Sequence, residues 1–210
     1  KVTLTFTPSD SPAFITVPKY TKFTTNVDGK SYTFSTDQVY TITPNLGVYS
    51  VSDVALYEGR IERAYYDVTA STKYIISNKR VDTDSIVVNV YASSAADAEV
   101  TAYTLKPNLF DVGSSDNVFY IQPAELNRYE LEFGNDVFGR EPKTGEVVEV
   151  IYRISSGATP NGATTFSPTA TIQGYTATVA TTTNSSSGAE EETLDSIKFY
   201  APKSIQIQDR

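Results

Sequence analysis

The sequence predicts a mainly β protein: an antiparallel β domain, an antiparallel β module inserted into it, and one short C-terminal helix. Three observations point there. Apolar and polar residues alternate along segment after segment, with the two-residue period of strands rather than the helical one. Thr, Val and Tyr dominate those segments, as half-buried strands prefer. Turn clusters of Pro, Gly, Asn, Asp and Ser recur roughly every eight to twelve residues, the rhythm of sandwiches and barrels.

The elements follow in order. "KVTLTFTPS" sets Val2, Leu4 and Phe6 on one face and Thr3, Thr5 and Thr7 on the other, and a Pro/Ser/Asp turn closes it. "AFITVPKYTKF" reads as a second strand, with Pro18 at a strand end or sheet edge. "KSYTFSTD", "QVYTITPN", "VYSVSDVALYEG" and "RIERAYYDV" continue the pattern. "VDTDS" reads as a turn whose Asp82 and Asp84 cap nearby amides, and "SIVVNVYASS" and "EVTAYTLK" follow as strands. "FDVGSSDN" reads as a hairpin tip, before "VFYIQP", "YELEFG" and "EVVEVIYRIS". From 159 to 188 the chain turns rich in Thr, Ser, Ala and Gly; weak alternation around Ile172, Tyr175 and Val179 predicts edge strands open to a partner, then a flexible linker. In "GAEEETLDSIKFYAPK", three glutamates favour a helix start, Leu194, Ile197 and Ala201 form a narrow apolar stripe, and Pro202 stops the helix. The expected organisation is a discontinuous β domain from 1–74 plus 155–186, an inserted module from 75–154, and the helix with its extension from 187–210.

Composition removes several classes of function. The 210 residues suffice to bury a sizeable core, about 70% of the unfolded surface. There is no Cys, so disulfides, thiolate metal sites and a Cys nucleophile are excluded. There is no His, which removes the commonest general base and the usual Ser triad. A net charge of −8 opposes contact with a phosphate backbone, and no apolar run reaches the ~18 residues of a membrane helix, so neither nucleic acid nor membrane is expected as a partner. No initiator Met opens the chain and no signal pattern follows, so it reads as processed or as a piece of something longer.

Gly134 and Gly139 in "LEFGNDVFGREPKTGEVVEVIYRIS" have the spacing of the outer glycines of a phosphate loop. That loop needs a Lys and a hydroxyl after its last glycine, and a helix beyond. Here Arg140 and Glu141 follow, and the next element is a strand. The structural reading is a β-loop-β connection: Gly134 lets the backbone leave the sheet, Gly139 permits a turn at positive φ, Pro142 takes the second position of a type I turn in "EPKTG", and Gly145 launches the next strand.

The same residues carry a resemblance. "FGNDVFGREPKTGEVVEVIYRISSGATPNG" is similar to the signature of the baseplate J-like family of contractile phage tails, at Phe133, Gly134, Gly139, Pro142, Gly145, Tyr152, Gly157, Asn161 and Gly162. "ITVPKYTKF" resembles an earlier segment of that family, with Tyr20 where glycine is usual, and "YEGRIERAYYDV" resembles the next block. "GAEEETLDSIKFYAPKSIQIQDR" resembles the family's acidic helix, beyond which the family usually continues into a further domain. The resemblance implies a structural role and no enzymatic activity or cofactor. Such proteins form homodimers, bind other wedge proteins of the virion's tail baseplate, link neighbouring wedges into a ring around the hub, and relay the rearrangement that triggers sheath contraction. Tyr175, Val179, Leu194, Ile197 and Phe199 are the candidate interface residues, and the 15 tyrosines and 10 phenylalanines supply contact area.

Two other classes compete. A carbohydrate- or receptor-binding β module would gather exposed aromatics on one face, and the absence of Trp counts against it. A glycosidase needs two carboxylates about 5 to 10 Å apart. Glu130 and Glu132 share one strand face at roughly 7 Å, a spacing that more often serves solubility. A calcium role for "VDTDS" fails because the acidic residues do not continue in an EF-hand pattern. The sequon at Asn184 has meaning only in a secreted chain.

Overall fold

The computed structural model describes residues 1–190. From the amino end run β1 (Val2–Phe6), β2 (Ile15–Val17), β3 (Lys22–Val27), β4 (Lys30–Ser35), β5 (Tyr40–Ile42), β6 (Pro44–Asn45), β7 (Val48–Val54) and β8 (Tyr57–Glu58). The chain continues through β9 (Arg60–Asp67), β10 (Tyr74–Ile76), β11 (Val81–Tyr91), β12 (Val100–Leu105), β13 (Val118–Ala124), β14 (Arg128–Phe133) and β15 (Val147–Ile154). It ends with β16 (Ser167–Pro168) and β17 (Thr178–Thr181). Every regular element among the described residues is a strand, as the alternation predicts. The helix expected within 187–210 lies, from Glu191 onward, outside the described residues.

Two compact units divide the chain, Gly59–Ser155 and the flanking segments before and after it. The chain leaves the first unit at Gly59, earlier than the expected 75, because β9 pairs along its whole length with β15, from Arg60 opposite Ile154 to Asp67 opposite Val147. Nothing in "RIERAYYDV" names that partner, which lies eighty or more residues downstream.

The first unit holds two four-stranded sheets, ordered β17-β1-β7-β6 and β16-β3-β4-β8, and the pair β2-β5, all antiparallel. Val2, Leu4 and Phe6 face inward from β1 and join Ile15, Val17, Phe23, Phe34 and Tyr49 in its core. Burying each such side chain contributes roughly 1.5–3 kcal/mol. Two expected strands are split here. "AFITVPKYTKF" breaks between β2 and β3, where Tyr20 takes φ +67, and "VYSVSDVALYEG" breaks at Ala55 and Leu56 between β7 and β8, just after Asp53, at φ +57, bulges within β7. The segment after β17 is pinned rather than a free linker: Thr182 and Thr183 N–H donate to Lys1 O, and Ser185 donates from N–H to Ala163 O and from Oγ to Pro160 O.

The second unit is one seven-stranded sheet, ordered β10-β14-β13-β12-β11-β15-β9. Its core face carries Val88 and Val90, Val148, Val150 and Tyr152, and Phe119 and Leu131. Tyr66, Tyr74, Phe133 and Tyr103 continue it as a chain of edge-to-face rings 4.8–5.7 Å apart. Burial pushes the Tyr66 hydroxyl up to about 12, and it donates to Ile75 O. Two expectations are corrected. The sheet is mixed rather than antiparallel throughout, because β12 and β13 run parallel; "FDVGSSDN" therefore belongs to a crossover between parallel neighbours and not to a hairpin tip. "VDTDS" lies inside the long β11, which a bulge between Asp82 and Val87 lets run on instead of turning.

Candidate functional site

The glycine-rich connection between β14 and β15 is built by close approach. Phe133, packed edge-on against Tyr74 and Tyr103, anchors the strand end. A Cβ on Gly134 would lie 2.0 Å from the Gly139 carbonyl oxygen, and one on Gly139, at φ +98, would lie 2.5 Å from Val118 Cγ2. Every backbone N–H from Asp136 to Glu141 donates to a protein acceptor. Asp136 donates to Gly139 O, Val137 and Phe138 to Asn135 Oδ1, Gly139 to Gly113 O, Arg140 to Asp116 O, and Glu141 to Asp136 Oδ1. A phosphate cradle needs free, converging amides, and here none is left to offer.

The rest of the loop is tied by charge. Arg140 donates to Tyr103 Oη and to Glu146, and Lys143 pairs with Asp136. Hydrogen bonding to Glu146 raises the Arg140 pKa against the opposing effect of burial. Glu146 also accepts from Lys143 N–H, which moves the turn: Glu146 N–H donates to Lys143 O, so residues 143–146 form it and Pro142 stands before it. Gly145, at φ +96 in the third position, makes it type II rather than type I. A cleft of about 480 Å³ opens beside this loop, with Tyr74, Glu130, Glu132, Glu141 and Lys143 in its wall. Of the candidate carboxylate pair, Glu132 accepts a hydrogen bond from Gln122.

The remaining signature residues do not gather there. Tyr152 is buried in the core of the second unit, its hydroxyl accepting from Asn78 Nδ2 at 2.7 Å. Gly157, Asn161 and Gly162 lie in the first unit. Asn161 clamps Gly188 from both sides, donating to its carbonyl at 2.8 Å and accepting from its N–H at 3.0 Å. Gly162 N–H donates to Ser185 O, and Gly157 lies against the Glu190 carboxylate. Of the candidate interface residues, Tyr175 donates to Asp10 Oδ2 at 2.7 Å, and Val179 sits in β17 opposite Leu4. Leu194, Ile197 and Phe199 lie outside the described residues.

β17 stands at the end of its sheet, so one row of its backbone groups faces outward. Between Arg153 and Glu190 the sequence has no charged residue. Edge strands are ordinarily guarded by charge, Pro or a bulge, and Thr178–Thr181 has none of these.

The sequence reading missed the most organised polar group among the described residues. Glu149 is 1% exposed, on the face of the second sheet opposite its core. Its Oε1 accepts from Arg63 Nη1 at 3.0 Å and Tyr65 Oη at 2.9 Å on β9; its Oε2 accepts from Asn89 Nδ2 at 2.9 Å and Tyr91 Oη at 3.1 Å on β11. Burial raises its pKa, but the hydrogen bonds from Asn89, Tyr65 and Tyr91 and the Arg63 charge outweigh it, so the carboxyl is held below its ordinary value. The Tyr91 hydroxyl is shifted upward by burial and by its bond to Glu149. The only signal within β15 is an acid between Val148 and Val150, which reads as a solvated face until the neighbouring strands are known.

Among the described residues no group of three or more acidic side chains is placed to hold a metal ion, and no helix is long and apolar enough to cross a membrane. No known family model matches the chain, and no curated protein matches it.

Proposed function

We propose that the chain is a structural subunit of a phage contractile-tail baseplate, most similar to the large wedge protein of T-even-like phages. In this role it is not an enzyme. It associates with itself and with other wedge proteins, links neighbouring wedges around the hub, and relays the rearrangement that triggers sheath contraction. The observation that carries this reading is the glycine signature. Gly134 and Gly139 occupy positions that admit no side chain, so their recurrence in a motif has a physical cause. Tyr20 adds an independent point: the family's usual glycine falls there, and the backbone takes φ +67, a conformation that favours glycine. The uncharged edge of β17 supports association by strand addition.

Antibody-gold labelling of particles from the source lysate tests the reading. Label confined to the distal end of a contractile tail, above the fibres, is the expected outcome. Unlabelled particles would remove the proposal. Label on fibre tips would favour the second reading, a carbohydrate- or receptor-binding module, for which the paired tyrosines over Glu149 are the specific observation.

A further inference from the structure

Asn161 and Gly162 form the one Asn-Gly step in the chain. Such a step carries its own electrophile and nucleophile. The Gly162 nitrogen can attack the Asn161 side-chain carbonyl carbon, because glycine has no Cβ to hinder the approach. Base removes the Gly162 amide proton, the new N–Cγ bond closes a five-membered succinimide, and the side-chain nitrogen leaves as ammonia. Water then opens the ring to aspartate or, with the main chain rerouted through the side chain, to isoaspartate. The reaction needs no enzyme, metal or oxidant.

The fold holds both reacting groups back. Residues 185–188 lie along 160–163 as a strap. Gly162 N–H donates to Ser185 O at 2.8 Å, so the proton that must leave is engaged. The Asn161 amide is fixed by two bonds to Gly188, donating to its carbonyl at 2.8 Å and accepting from its N–H at 3.0 Å. Three further bonds seat the strap: Ser185 N–H to Ala163 O at 3.1 Å, Ala163 N–H to Ser185 Oγ at 2.7 Å, and that hydroxyl to Pro160 O at 2.6 Å. Its far end fits only glycine, since a Cβ on Gly188 would lie 2.4 Å from Gly157 O and 2.9 Å from Asn161 Oδ1. Gly162 itself is exposed, so hydroxide reaches it once the strap lifts.

We infer that Asn161–Gly162 is a shielded deamidation site, and that it forms a one-way latch with the strap 185–188. While the strap is closed the step is inert. Three hydrogen bonds must open before reaction, two at the Asn161 amide and one at Gly162 N–H; at roughly fivefold each, the closed fold slows deamidation on the order of a hundredfold. Once the step has reacted, the strap cannot close as before. Either product carries a carboxylate where the amide stood, with no N–H for Gly188 O and a negative charge against that carbonyl. Isoaspartate also adds one carbon to the main chain between 161 and 162, which takes Gly162 N–H out of register with Ser185 O. A transient opening is thereby converted into a permanent one. The latch is independent of the baseplate role.

The full chain and a synthetic peptide of residues 157–166 are incubated side by side at mildly alkaline pH, and conversion of Asn161 is followed by peptide mass mapping. The folded chain should convert on the order of a hundredfold more slowly than the peptide. Gly188→Ala, which forces the strap away from Gly157 O, should convert at least about tenfold faster than wild type. Ser185→Ala removes the two side-chain bonds of the strap without a clash and should also convert faster. Gly47→Ala carries left-handed strain with open space around it, in the turn between β6 and β7, and should convert at the wild-type rate. The amide spectrum of each variant reports whether the fold is intact, and if Gly188→Ala fails to fold, Ser185→Ala decides. In converted wild-type chain the Ser185 and Gly188 amides should exchange with solvent faster than before. Conversion of the folded chain at the peptide rate, or folded strap variants as slow as wild type, would overturn the shielding. Unchanged exchange at Ser185 and Gly188 after conversion would overturn the latch.

Discussion

Alanine at Gly134 is the sharpest perturbation the fold offers. The new Cβ would sit 2.0 Å from Gly139 O, where a carbon contact needs roughly 3.5 Å, so the two halves of the loop must part by more than about 1 Å. The obstacle is backbone, and no rotamer relieves it. Three hydrogen bonds depend on that approach: Asp136 N–H to Gly139 O at 2.9 Å, Gly139 N–H to Gly113 O at 3.0 Å, and Arg140 N–H to Asp116 O at 2.8 Å. Lengthened by that amount they no longer qualify as hydrogen bonds, and at about 1 kcal/mol each the loss is about 3 kcal/mol. Two other glycines calibrate the figure. Gly145 has φ +96 but open space around its Cβ direction, so Gly145→Ala incurs only left-handed strain, about 1 kcal/mol. Gly113 has no positive φ and its nearest atom is 3.7 Å away, so Gly113→Ala should stay within ~0.5 kcal/mol. Urea denaturation followed through amide resonances of the second unit measures all three on one scale. The expected order of cost is Gly134, Gly145, Gly113. If Gly134→Ala proves no more costly than Gly145→Ala, close approach is not what the signature glycines provide.

Three further outcomes are expected. Glu149→Gln places an NH₂ against a ring of donors and should destabilise the second unit by about 2 kcal/mol at neutral pH. Because the folded chain holds this carboxyl below its unfolded value of ~4.3, its contribution is complete above that value and is lost as pH falls through the folded one; wild type should therefore lose more stability than Glu149→Gln between about pH 5 and pH 2, and parallel stability–pH curves would refute this. Tyr20→Gly relieves a left-handed strain of about 1–2 kcal/mol, set against glycine's extra chain entropy and the Lys19–Tyr20 contact, so thermal melts should show it equal to or above wild type, whereas Tyr20→Val should melt lower. Ala180→Lys adds a charge at an exposed position of β17 while leaving Val179 packed on the first core; sedimentation velocity should show less self-association with stability within ~0.5 kcal/mol, and unchanged association would remove β17 as the contact.

Strands were legible in this chain because each carries its own evidence: the alternation of Val2, Leu4 and Phe6 needs no partner to be read. Pairing is not local in that way. β9 finds β15 across almost the whole second unit, and β12 and β13 run parallel although the loop between them has the composition of a hairpin. The glycine loop was legible as structure, since a steric requirement leaves a residue-level trace at Gly134 and Gly139. Its turn was placed two residues early because Glu146 captures Lys143 N–H, a side-chain contact that turn propensities omit.

Glu149 shows the other limit. A glutamate in a strand normally signals water, and the pattern "VVEVIYRI" gives no reason to think otherwise. Its burial is decided by residues some sixty and eighty-six positions away, which become neighbours only after β11, β15 and β9 align. A register shift of one residue on either flank would turn Asn89 and Tyr91, or Arg63 and Tyr65, to the opposite face and leave the carboxylate with two of its four donors. The network therefore penalises every register but the observed one, at several kcal/mol per slip. A group that specifies register this strongly also fixes the two tyrosines above it. Specificity of folding and preorganisation of the outer face thus have the same origin.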